Sequence, residues 1–210
     1  MMFRETFAGA GVLAFTLLIT TPASADHPGE DLNQVMAAKE AAFEPVAPRP
    51  APELAWQDTQ GADVRLDSLE GKIAVVSFVP PGRGAPCADQ QGQLSQAITS
   101  LNASPMRDMV VFVTIGDAPV AGTGPAANWT RARSGEGQTT EDRAAAFASA
   151  SGRGDGLPLI HVLDRSGRQV GIFHGADFLP LNLVLYINGL TNAHPHSEPG
   201  LLDRLFGWLP

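Results

Sequence analysis

One residue in this 210-residue chain combines nucleophilicity with the character of a soft metal ligand: its single cysteine, Cys87. A thiolate there would attack a disulfide or bind a soft metal, and both activities depend on the thiol pKa. Two features of the flanking sequence favour the thiolate. Cys87 stands in the first turn of a helix-forming stretch, where the helix dipole stabilises negative charge, and Arg83 lies four residues upstream. Pro80, Pro81, Gly82, Gly84 and Pro86 keep the preceding loop from folding over the thiol, so exposure and a pKa below the usual ~8.5 are expected. The competing reading is a buried, inert cysteine. A single cysteine cannot close an internal disulfide, which leaves a free thiol, a metal ligand or an intermolecular partner.

The histidines are the other candidates. His161 alternates with apolar neighbours inside an expected strand and reads as a packed, sheet-face residue; His174 follows the next strand and reads as a packing or partner-surface residue. His194 and His196, with Asp203 beyond, could hold a metal loosely, although a solvated tail is the preferred reading.

The elements that must position these residues are legible in part. Ile73 to Val79 and Asp108 to Ile115 are continuous apolar runs, as in central strands covered on both faces. Between them Gln90 to Leu101 carries a buried stripe of Leu94, Ile98 and Leu101. Leu159 to Leu163 and Gln169 to Phe173 flank an Asp164-Arg165-Ser166-Gly167 turn as a hairpin, and a helix over Leu181 to Leu190 follows. Leu54 to Gln57 and Asp63 to Leu66 form a second hairpin around Thr59-Gln60-Gly61. Gly116 to Gly156 reads as one long excursion with a helix over Thr140 to Ser151, capped by Thr139 or Thr140. Strand, loop, helix with an N-terminal cysteine, strand, crossover, hairpin and helix predict an α/β fold, a thioredoxin-like mixed β-sheet flanked by helices.

The ends of the chain speak to location. Arg4, the apolar segment Phe7 to Ile19 and the small-residue triplet Ala23-Ser24-Ala25 form a secretory signal over 1–25. The apolar segment is short of the ~20 residues of a spanning helix, so cleavage and a mature chain starting near Asp26 in the periplasm are expected, with a retained anchor as the alternative. Residues 26–52 are read as a helix over Asp31 to Phe43 and a Pro-rich linker, 53–192 as the domain, and 193–210 as a tail. Leu201 to Leu209 make that tail amphipathic, able to dock on the domain, a partner or the membrane surface. Formal net charge is −8 with Asp and Glu spread along the chain, so no phosphate-backbone footprint is expected and nucleic acid is not the expected partner.

Over Ala51 to Asn192 the sequence resembles the Sco/SenC family of thioredoxin-like copper and cytochrome c oxidase assembly proteins. The likeness rests on Gly71-Lys72 before the strand, Phe78 with Cys87 nine residues on, DMVVFVTI, and IHVLDRSGRQVGIFHG followed by NLVLYINGL. It implies a copper site of two cysteines and a histidine, and a protein partner in respiratory oxidase assembly. Carried onto this chain, the second cysteine falls on Cys87, the first on Arg83 and the histidine on Gly156, so the metal site is expected to be degenerate, with Cys87 a remnant ligand. His161, five residues from Gly156, would lie ~16 Å along an extended strand and is not expected to substitute. Gly156-Leu157-Pro158 resembles the cis-proline signature of TlpA-like thioredoxins, which makes Pro158 the expected wall of a substrate groove. Pro80 fits the start of the peroxiredoxin pattern, but Gly84 stands where that pattern requires threonine.

Three readings follow. The first is a periplasmic Sco/SenC-like binding module, the second a single-cysteine thiol-disulfide oxidoreductase using Cys87, and the third a non-catalytic structural interaction domain.

Overall fold

The computed structural model describes residues 28–57, 62–116, 126–135 and 137–192. Eight strands among these residues form one sheet: β1 (Phe43–Pro50), β2 (Ala55–Gln57), β3 (Asp63–Arg65), β4 (Ile73–Val79), β5 (Val110–Gly116), β6 (Trp129–Ser134), β7 (Leu159–Leu163) and β8 (Arg168–His174). Their order is β1-β8-β7-β4-β5-β6-β2-β3, with β4, β5 and β6 parallel and the other pairs antiparallel. Four helices flank it, α1 (Pro28–Lys39), α2 (Gly84–Asn102), α3 (Thr140–Ala148) and α4 (Pro180–Asn192).

The two-residue period of the strands divides the core. Ile73 and Val75 of β4 pack on one face with Leu94, Ile98 and Leu101 of α2 and Leu183 and Ile187 of α4; Ala74, Val76 and Phe78 pack on the other with Phe147 of α3. A continuous apolar β4 is the consequence of cover on both sides. Helix α3 starts where Thr139 Oγ1 accepts the Asp142 N–H at 3.1 Å while Asp142 accepts the Thr139 N–H, a reciprocal cap.

Three sequence expectations change. Glu44 to Pro52 is extended, as its prolines require, but it is not a linker ahead of the domain. Its first seven residues belong to β1, the edge strand on β8, and Phe43 and Val46 are buried. Prolines are tolerated there because an edge strand leaves alternate N–H groups unpaired. Next, the excursion after β5 contains β6, whose Trp129 lies in register with Phe112. Its mixed composition, TRARS after the tryptophan, hid the strand. Helix α2 also begins three residues before Cys87, because Pro86 falls in the first turn, where no intrahelical N–H bond is lost. The signal 1–25, the Thr59-Gln60-Gly61 turn, His194, His196, Asp203 and the amphipathic tail lie outside the described residues. No described helix is long and apolar enough to cross a membrane.

Candidate functional site

At the C-terminal end of β4 the chain leaves the sheet through Pro80 to Arg83 and enters α2, which brings Cys87 over the strand end. The thiol is not on the surface. Cys87 is 2% exposed, and burial pushes its pKa up against the opposing charge of Arg83. The expected lowering is therefore corrected: α2 turns Cys87 inward while its neighbours Pro86 and Ala88 stay exposed, so an open loop ahead of the helix does not expose the thiol. What Cys87 does face is a cavity of about 350 Å³, lined also by Phe78, Arg83, Ala148, Leu157 and His161.

The two positions aligned with the missing ligands meet each other. Arg83 Nη1 donates to the Gly156 carbonyl at 3.2 Å, and Nη2 lies 3.8 Å from Glu141 at an exposed mouth. A guanidinium has no lone pair to give a cation, and Gly156 offers only a backbone carbonyl that Arg83 already uses. This donor set does not fit the copper site of two thiolates and an imidazole. Among the described residues no three His, Cys, Asp or Glu side chains are placed to hold a metal ion.

The cavity wall from Ser151 to Pro158 is tied down by a histidine expected to pack or to face a partner. His174 is buried, with Nδ1 2.7 Å from Asp155 Oδ2 and Nε2 2.7 Å from Glu44 Oε2. Glu44 also accepts from Ser151 Oγ at 2.6 Å and from the Gly152 N–H at 2.7 Å. Burial pushes the Glu44 carboxyl up, but the bonds from Ser151, Gly152 and His174 outweigh it and hold the group below the usual carboxylate range. In Asp155 burial is likewise outweighed, here by the Leu157 N–H, His174 and Arg153. The carboxylates sit on opposite sides of the imidazole, so this is a clasp joining β1, β8 and the cavity wall.

The Leu157–Pro158 peptide is trans, like every described peptide bond, so the cis bond that marks a thioredoxin groove is not made. Pro158 does line the cavity, but its carbonyl is taken by Gln90 Nε2 at 2.7 Å and by the Gly175 N–H at 2.8 Å. The Leu157 N–H donates to Asp155 Oδ1. These backbone groups are spent inside the chain.

His161 lies in the wall of the same cavity as Cys87 and Gly156. Its ring packs edge-on to Phe78 and Phe147, and Nδ1 lies 2.8 Å from Gln169 Nε2. Burial above all, and then the charge of His174, pushes its pKa down to about 3, so the ring is neutral. Sequence reasoning missed Gln90 and Gln91, three and four residues after Cys87. Gln91 joins a buried chain with Ser77, Thr114 and Trp129 Nε1. Two glutamines one turn along the inner face of a cysteine-bearing helix were the available signal.

No family model and no curated protein matches the sequence. Solved structures do match in shape. BsSco, a member of the Sco family of cytochrome c oxidase assembly proteins, superposes with a TM-score of 0.55 at 12% identity, over 72% of this chain and 99% of that one. A SCO1/SenC family lipoprotein from Bacillus anthracis str. Ames gives 0.53 at 13% identity, over 71% and 98%. The fold is thioredoxin-like. At these identities the likeness speaks for the mixed sheet and its flanking helices, in agreement with the sequence resemblance, and not for the chemistry of either relative.

Proposed function

We propose that this chain is an exported, Sco/SenC-like thioredoxin-fold protein that serves oxidase assembly or copper handling as a binding module, with a degenerate metal site. The observation that carries the reading is the Arg83–Gly156 hydrogen bond. It occupies both positions where the resemblance expects further ligands, and it places a fixed positive charge beside the one thiol that is left. A buried thiol of raised pKa also argues against a single-cysteine exchange cycle, since the thiolate is the attacking species. In this reading residues 1–25 are a removed leader and the protein acts in the periplasm on a protein partner.

Titration of the reduced mature chain with Cu(I) in competition with a chelator, beside Cys87→Ser, tests it. The two proteins should bind equally weakly. Stoichiometric, tight copper binding that Cys87→Ser abolishes would overturn the reading.

A further inference from the structure

The cavity at Cys87 has the features of a small-molecule site. Its volume of about 350 Å³ is within the range of ligand pockets, and Phe78, Pro80, Ala144, Ala148, Leu157 and Leu159 give it an apolar wall. One polar function in it has no counterpart. His161 is 1% exposed and lines the cavity, yet with Nδ1 committed to Gln169 its Nε2 has no hydrogen-bond partner among the described residues. That nitrogen is not among the fully buried side-chain atoms left without a partner, so it opens onto the cavity, where a bound polar atom would pair with it.

We propose that this cavity binds a small, uncharged, mainly apolar molecule that carries one hydroxyl at its buried end, directed at His161 Nε2. The choice of occupant follows from three observations. The charged groups that line the cavity are already engaged, Arg83 with Glu141 and the Gly156 carbonyl and Asp155 with His174, and the buried end offers only the neutral imidazole and the thiol, so no charge is left over to compensate a charged ligand. A hydroxyl both donates and accepts and so meets either tautomer of His161, whereas an ether or an amine cation meets one or neither. An extended peptide is disfavoured, because the Gly156 and Pro158 carbonyls and the Leu157 N–H that a strand would pair with are already bonded within the chain. The inference deepens the reading of this pole as a binding module, and it is independent of whether copper binds.

An apolar cavity of about 150 Å³ takes benzene, so this one has room for a bicyclic ring. The test is equilibrium binding of 1-naphthol, naphthalene and 1-naphthoate to the mature chain, read by ligand fluorescence and by slowed alkylation of Cys87. 1-Naphthol should bind saturably, roughly three- to tenfold tighter than naphthalene, the factor that one net hydrogen bond supplies. 1-Naphthoate should bind more weakly than either. Ala148→Phe, which adds bulk to the cavity wall while keeping His161, should abolish binding of all three, and His161→Leu should erase the preference for naphthol. Naphthol binding that survives Ala148→Phe overturns the site even if His161→Leu does not fold. Tightest binding by naphthoate, lost in Arg83→Ala, overturns the ligand class by assigning selection to the mouth. Absence of saturable naphthol binding also overturns the proposal, and it leaves the copper result standing.

Discussion

Replacing His174 by leucine should loosen the Asp155 end of the cavity wall from the rest of the domain. The imidazole bridges Glu44 and Asp155 through two 2.7 Å contacts, each of a length typical of hydrogen bonds to charged groups. Such bonds contribute about 1.5–3 kcal/mol apiece, so the bridge is worth at most about 6 kcal/mol. Two facts reduce that figure. Glu44 keeps Ser151 and the Gly152 N–H, and Asp155, with a 31% exposed side chain, keeps the Leu157 N–H and gains water. The expected loss is therefore about 3 kcal/mol, a large part of the ~5–15 kcal/mol stability of a domain. It corresponds to a drop in Tm of about 6–12 °C. Urea melts and calorimetry measure this, and hydrogen exchange of residues 151–158 should show where the loosening occurs. The pH dependence has a definite sign. Both carboxyl pKa values are depressed in the folded protein, so their contribution is complete above the unfolded carboxylate range near ~4 and is lost as pH falls through the lower folded values. The difference between wild type and His174→Leu should shrink on acidification. A difference under about 1 kcal/mol at neutral pH, or one that grows toward acid, would refute the clasp.

Iodoacetamide should label Cys87 slowly in the native protein and fast after denaturation, with a pH midpoint above the free-thiol value of about 8.5; Arg83→Ala should raise it further, and fast native labelling at neutral pH would contradict the burial. Arg83→Cys with Gly156→His should create Cu(I) binding absent from the parent. Gly156 has φ +71° in open space, so the histidine should cost about 1–2 kcal/mol of backbone strain, visible as a lower Tm without copper. Phe43→Ala should destabilise by about 3–5 kcal/mol, since Phe43 packs on Phe173 and Tyr186; a loss under about 1 kcal/mol in denaturant melts would refute the packing of β1 on the core. Gly171→Ala should cost about 1–3 kcal/mol, because a Cβ there would lie 2.6 Å from Phe43 Cε2 and 2.9 Å from the Tyr186 hydroxyl; an unchanged melt would refute that packing.

The sequence by itself determined the features that depend on local pattern. Two continuous apolar runs had to be central strands, the Asp164 to Gly167 turn had to join β7 and β8, and Thr139 or Thr140 had to start α3, because strand period, turn chemistry and capping act over a few residues. It also placed Arg83 and Gly156 as a pair, through the resemblance. Contacts between distant segments were decided only by the tertiary structure. Pro-rich Glu44 to Pro52 reads as a linker until β8 offers it an edge, and the burial of Cys87 is set by the packing of α2 against the rest of the domain. His174 illustrates the limit most clearly: its partners lie 130 and 19 residues away, so no window along the chain contains the clasp. Side-chain chemistry is written in the sequence, whereas burial and partnership, which set each group's pKa and use, arise when the sheet brings remote segments together.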